Sequence, residues 1–182
     1  MFDNPYRVHP IGRRNVNSNG LFDNGGVIEE FLFKFKLEKG EVYHIVVNRY
    51  EMNLFMIKFY AKLHENHPSK YNFLLNRHKA SKVLATCYRV ISQFFIPRFE
   101  YGAFGFIGAP SLYPDGSMEL KQCTKRFRIY SYMVSSFHGL ESFEHFKDDD
   151  LSAYLIFRNS PRKESQKELA FKLFALNYPD AE

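Results

Sequence analysis

The stretch FLFKFKLEKGEVYHIVVNRY, residues 31–50, alternates rings with charges, turns once, and then runs through β-branched residues. Phe31, Phe33, Phe35 and Leu37 share one side of an extended chain, and Leu32, Lys34 and Lys36 the other, because successive strand side chains point to opposite faces. Lys39-Gly40 supplies the turn and Val42 to Val47 the second strand, so the stretch reads as an antiparallel hairpin. NLFMIKFYAK (53–62) continues as a third strand, with Phe55, Ile57 and Phe59 on a common face. Three strands joined by short turns predict a mainly antiparallel sheet.

Working outward, residues 1–27 are rich in Asn, Gly and Arg and show no hydrophobic period. They read as an irregular N-terminal arm or tail on a single globular domain spanning 28–182. HENHPSKYNFLLN (64–76) reads as a loop running into a short strand or helical turn. SKVLATCYRVISQFF (81–95) is helical: Val83, Cys87, Val90, Ile91 and Phe94 recur at helical spacing, and Pro97 stops it. YGAFGFIGAPSLYPDGSM (101–118) reads as a short buried strand and a loop punctuated by Pro and Gly.

CTKRFRIYSYMVSSF (123–137) predicts a second helix, with Thr124 as N-cap, Phe127, Tyr130, Val134 and Phe137 on one face, and Gly139 as C-cap. Two strands follow, near 143–146 and in SAYLIFRN (152–159), separated by the acidic turn Asp148-Asp149-Asp150. Ser160-Pro161 and the Ser165-to-Glu168 capping box open a last helix that packs through Ala170, Leu173 and Phe174. The order β-β-β-α-β-α-β-β-α predicts an α+β domain, a mainly antiparallel sheet with about three helices on one face.

Composition agrees with a folded chain. The 182 residues are 45% hydrophobic and 18% aromatic, with 20 Phe, 12 Tyr and no Trp. Two cysteines, Cys87 and Cys123, without a Cys-x-x-Cys pair suggest neither a disulfide framework nor a zinc site. No apolar run reaches the length of a membrane span, and the first residues lack a signal-peptide core, so a cytoplasmic protein is expected.

The net charge of +5 and pI near 9.1 are concentrated rather than spread. Residues 58–98 carry a net +7, residues 121–128 a net +4, and residues 141–150 a net −4. The second block begins a helix with Lys125, Arg126 and Arg128, where a helix dipole prefers anions. Something negative is therefore expected there: internally Glu119 or the 148–150 turn, or externally a phosphate. Lys125, Arg126 and Arg128, with Lys82 and Arg89 on the preceding helix, are the expected anion contacts.

Other chemistries find little support. Gly102, Gly105 and Gly108 are spaced unlike a dinucleotide or Walker loop, and no helix starts beside them as an acyl-coenzyme A site would need. They read as glycines that let neighbouring elements approach closely. His64, His67 and His78 lack a metal-binding spacing, and His44, His138 and His145 are scattered, so neither a metal nor a cofactor is expected. Cys87 sits on an apolar helix face, and Cys123 has no evident base. Basic and aromatic residues interleave in KRFRIYSY and CYRV, which points to nucleic acid, although no helix-turn-helix, zinc finger or RNP motif accompanies them.

KVLAT (82–86), TKRFRIY (124–130) and SAYLIFRN (152–159) resemble a group of small bacterial proteins, frequent in Bacteroidetes, that share a KVLATV-like helix, a TRLY-like helix start and a closing strand. Lys125 and Phe127 alter the spacing of the second motif. The resemblance covers residues 81–159 and implies an α-β-α-β order without any chemistry. The sequence thus predicts binding of a phosphate-bearing partner, RNA or DNA. Its alternatives are a protein–protein module, such as half of a toxin–antitoxin or phage-defence pair meeting an acidic surface, and a small RNA-cleaving enzyme. The last would need a trio drawn from Lys125, Arg126, Arg128 and Tyr132.

Overall fold

The hairpin of residues 31–50 is the nucleus of a seven-stranded sheet in an α+β fold. The computed structural model describes residues 4–16, 26–73, 77–137 and 143–177. Its strands are β1 (His9–Asn15), β2 (Glu29–Lys36), β3 (Val42–Arg49), β4 (Leu54–Ala61), β5 (Ala103–Ile107), β6 (Glu144–Asp148) and β7 (Ala153–Phe157). Its helices are α1 (Arg77–Val90), prolonged by a π turn at Ile91–Phe95, α2 (Lys125–Phe137) and α3 (Lys163–Asn177). The strands lie in the order β1-β2-β3-β4-β5-β7-β6. All neighbours are antiparallel except β4 and β5, which run parallel and are joined through α1.

Register follows the alternation read from sequence. Phe31 faces Val47 and Phe33 faces Ile45 across β2 and β3, and Val47 and Ile45 face Ile57 and Phe59 of β4. The turn closes with the Leu37 amide donating to the Glu41 carbonyl at 2.8 Å, and Gly40 adopts the left-handed φ of +92° that a residue without Cβ accepts.

Two expectations are corrected. The order gains a strand at its start, because β1 lies inside the segment read as an irregular arm. Every residue of β1 is exposed, so burial imposes no hydrophobic alternation on it, and Pro10 and Gly12 disguise it further. Both are tolerated because β1 is an edge strand whose pairing with β2 is irregular between Pro10 and Gly12. The helices also divide between the two faces. α1 and α2 cover the face of Phe33, Ile45, Phe55, Phe104 and Tyr154, whereas Ala170, Leu173 and Phe174 of α3 pack on Leu54, Met56, Ala103 and Leu155. β4, β5 and β7 are apolar on both sides, as strands covered by two layers must be.

Local devices join the layers. Tyr6 crosses to α1, where its amide donates to Thr86 Oγ1 at 2.9 Å and its ring stacks on Phe35. Gln166 of α3, fully buried, donates to the carbonyls of Met52 (2.7 Å) and Tyr101 (2.8 Å). A Cβ on Gly105 would lie 2.5 Å from Leu155 Cδ2, and one on Gly108 would lie 2.5 Å from both the Phe127 amide and Thr124 Oγ1. Those glycines therefore serve close approach, as read from sequence. A partly open apolar pocket of about 50 Å³ lies between α1, α2 and the sheet, walled by Leu84, Cys87, Phe106, Tyr130 and Met133 among others. Among the described residues no helix is long and apolar enough to cross a membrane. The expected cap Gly139 lies outside the described residues.

Candidate nucleic-acid interface

The start of α2 is satisfied from within. Thr124 Oγ1 accepts from the Phe127 amide at 3.1 Å and donates to the Gly108 carbonyl at 2.7 Å, a side-chain N-cap. Glu119 supplies the negative charge: its carboxylate accepts from the Lys125 amide at 2.8 Å and the Ser111 amide at 3.1 Å. Burial opposes its ionisation, but those hydrogen bonds and the Lys125 charge prevail and hold its carboxyl below the usual range. The anion called for by the basic helix start is thus present in the chain itself.

The five cations singled out from sequence stand in separate surroundings. Arg126 is buried, and its guanidinium donates to the Tyr71 and Phe73 carbonyls, clamping the loop after β4. Lys125 Nζ donates to Tyr113 Oη at 3.1 Å and lies over that ring. Lys82 Nζ pairs with Glu38 at 2.6 Å and lies over Tyr6. Hydrogen bonds from Lys82 and Tyr6 bring the Glu38 carboxyl down to about 2. Arg128 is exposed and Arg89 half-buried, and neither has an ion-pair partner among the described residues. Phe127 and Tyr130 are buried, so their rings offer no stacking surface.

Rings and cations meet elsewhere, in a groove of about 460 Å³ at the β1 edge of the sheet. Phe31 and Phe33 of β2 form its floor, and Phe94, Phe95, Arg98 and Phe99, at and beyond the π turn, form one side. Pro10, Gly12 and Arg13 of β1 form the other. The floor follows from the alternation of the hairpin, and the side follows from the π turn. Helical spacing puts Phe94 on the buried face, but the widened turn, with the Ile96 amide donating to the Ile91 carbonyl, buries Phe95 and leaves Phe94 half-exposed.

Glu29 organises the charges beside the groove. It is 4% exposed; one carboxylate oxygen accepts Arg13 through both Nε (2.8 Å) and Nη2, and the other accepts Arg49 Nη1 at 2.8 Å. Burial raises the Glu29 carboxyl, yet the two guanidiniums outweigh it and keep its pKa below the usual value. The same pairs seat Arg13 over the Phe31 ring at 5.4 Å and Arg49 over the Phe99 ring at 5.1 Å. Arg98 is exposed; its amide donates to the Phe95 carbonyl at 3.0 Å, and its guanidinium has no hydrogen-bond or ion-pair partner among the described residues. Three guanidiniums against one carboxylate leave the groove cationic.

Sequence reasoning passed over this site. Arg98 entered only as one charge of a basic block, and Arg13 lay in the presumed arm. The run FFIPRF (94–99), rings flanking an arginine just after a helix, carried a usable signal.

Two further clusters frame it. His44 Nδ1 lies 3.2 Å from Tyr60 Oη and 3.7 Å from Glu65 Oε1, but His44 and Tyr60 are both buried, which denies a substrate access to them. Where β4 and β5 diverge, Lys58 shares a pocket of about 30 Å³ with Arg126 and Tyr130, its amine lowered in pKa by burial. Cys87 is buried, which pushes its thiol pKa up, and Cys123 is exposed. No group of three or more His, Cys, Asp or Glu among the described residues stands where it could hold a metal ion. Compared with protein-family models, curated proteins and solved structures, the chain matches none.

Proposed function

We propose that this protein binds a phosphate-bearing partner, RNA or DNA, in single-stranded form through the phenylalanine–arginine groove. One observation carries the reading: a half-open groove in which phenylalanine rings and an unpartnered arginine line the same space. Single strands expose both the ring faces and the phosphates that such a surface engages, and each base stacked on an aromatic side chain contributes roughly 1–3 kcal/mol. A duplex hides its bases, so it gains only the electrostatic part. Arg89 and Arg128, both without ion-pair partners among the described residues, add cationic surface outside the groove.

The test is binding of labelled single- and double-stranded RNA and DNA over a salt titration, with Phe94→Ala and Arg98→Ala variants. Single strands are expected to bind more tightly than duplexes, with affinity falling as salt rises. Arg98→Ala is expected to reduce the salt slope by about one, the signature of one lost phosphate contact. Absence of binding at low salt, or binding that neither variant alters, would overturn the proposal.

A further inference from the structure

The geometry points to a more particular ligand, and the inference rests on the strand-binding reading: the groove is a site for one nucleotide unit, its base on Phe94 and its phosphate on Arg98. Phe33 and Phe95 are buried, Phe31 carries Arg13 over its ring, and Phe99 carries Arg49. Phe94 is half-exposed, meets Phe33 at a tilted 5.1 Å, and has no cation over its ring among the described residues. Among the groove's arginines, Arg13 and Arg49 are committed to Glu29, whereas the Arg98 guanidinium has no partner among the described residues. Among the described residues the groove therefore holds one available ring and one available guanidinium, four residues apart on the same segment.

One ring takes one base, and one guanidinium takes one phosphate in a bidentate grip. A volume of about 460 Å³ belongs to the range of small-ligand pockets, which suits one nucleotide rather than a stack of several. The Glu29 pairs tie Arg13 of the opposite wall to β2 and Arg49 to β3, which places that wall before any ligand arrives, so a mononucleotide suffices to fill the site. Stacking accepts any base, so purine and pyrimidine nucleotides both enter.

Competition decides the matter. A labelled single-stranded oligonucleotide bound to the full chain is challenged with AMP, UMP, adenosine and inorganic phosphate. AMP and UMP are expected to displace it, with adenosine and phosphate each at least tenfold weaker. Phe94→Ala is expected to weaken AMP at least tenfold, and Arg98→Ala to close the gap between AMP and adenosine. Thermal melting of both variants checks that they fold, and a conservative Phe94→Tyr, which keeps the ring, is expected to restore AMP binding. If the oligonucleotide binds but neither mononucleotide displaces it, or phosphate alone displaces it equally well, the one-nucleotide site is refuted while strand binding stands. If the oligonucleotide itself does not bind, both fail.

Discussion

Arg126 fastens the loop after β4 to the first turn of α2. On a helix start it resembles a phosphate contact, yet its guanidinium is buried on the carbonyls of Tyr71 and Phe73. Arg126→Leu strands both carbonyls and removes two charge-assisted hydrogen bonds, an expected cost of about 2–3 kcal/mol. Urea denaturation should give a lower midpoint, and hydrogen exchange should quicken first in residues 62–73. An unchanged midpoint would show that water replaces the guanidinium at no cost.

His44 makes a second prediction at this scale. Burial lowers its pKa most, Lys62, Lys34 and Lys70 lower it further, and only Glu65 raises it. The folded state therefore holds the neutral imidazole, while the unfolded chain takes up a proton near pH 6.5. Stability supported by neutral His44 is complete above about pH 6.5 and declines as pH falls through the folded pKa. His64 is shifted in the same direction, so the measurement is the difference between wild type and His44→Gln. The variant's stability should fall less steeply between pH 7 and 5.

Elements meet at contacts that leave no room for a side chain. Gly108 sits under the first turn of α2, with the Phe127 amide and Thr124 Oγ1 each 2.5 Å from where a Cβ would stand. Gly108→Ala is expected to cost about 1–3 kcal/mol, because a backbone amide and a bonded hydroxyl cannot move aside as a flexible side-chain end can. Gly12→Ala is the control, since nothing lies within 4 Å of its Cβ position. Equal thermal melting for the two variants would show that α2 is not pinned to the sheet at this point.

On the scale of the whole molecule, two packed layers share one sheet, and the fit is imperfect between α1 and α2. The apolar pocket of about 50 Å³ there is partly open, so its walls forgo packing contacts on one side. Val134→Leu, on the pocket wall, should bury one more methylene, worth about 0.8 kcal/mol, and raise the melting temperature by up to about 2–4 °C. Val134→Ala should lower it. A fall for both would show walls that cannot yield to the added methylene.

The parts of this protein that its sequence determined are those governed by neighbours along the chain. The Phe31–Phe33–Phe35 alternation, the Lys39-Gly40 turn, the Thr124 cap and the apolar faces of α1 and α3 are short-range patterns, and burial preserved them. Three things depended on distant partners. β1 is a strand only because β2 offers it a ladder, since its own residues bury nothing. α3 covers the face opposite α1 and α2 because β4, β5 and β7 are apolar on both sides, and only the strand order reveals that as a requirement. The candidate site follows the same rule. Which cations are spoken for was settled by Tyr113, Glu29, Glu38 and two carbonyls more than fifty residues from Arg126. Charge acts through space, so a residue's freedom to meet a ligand is a property of the folded surroundings rather than of its position in the chain.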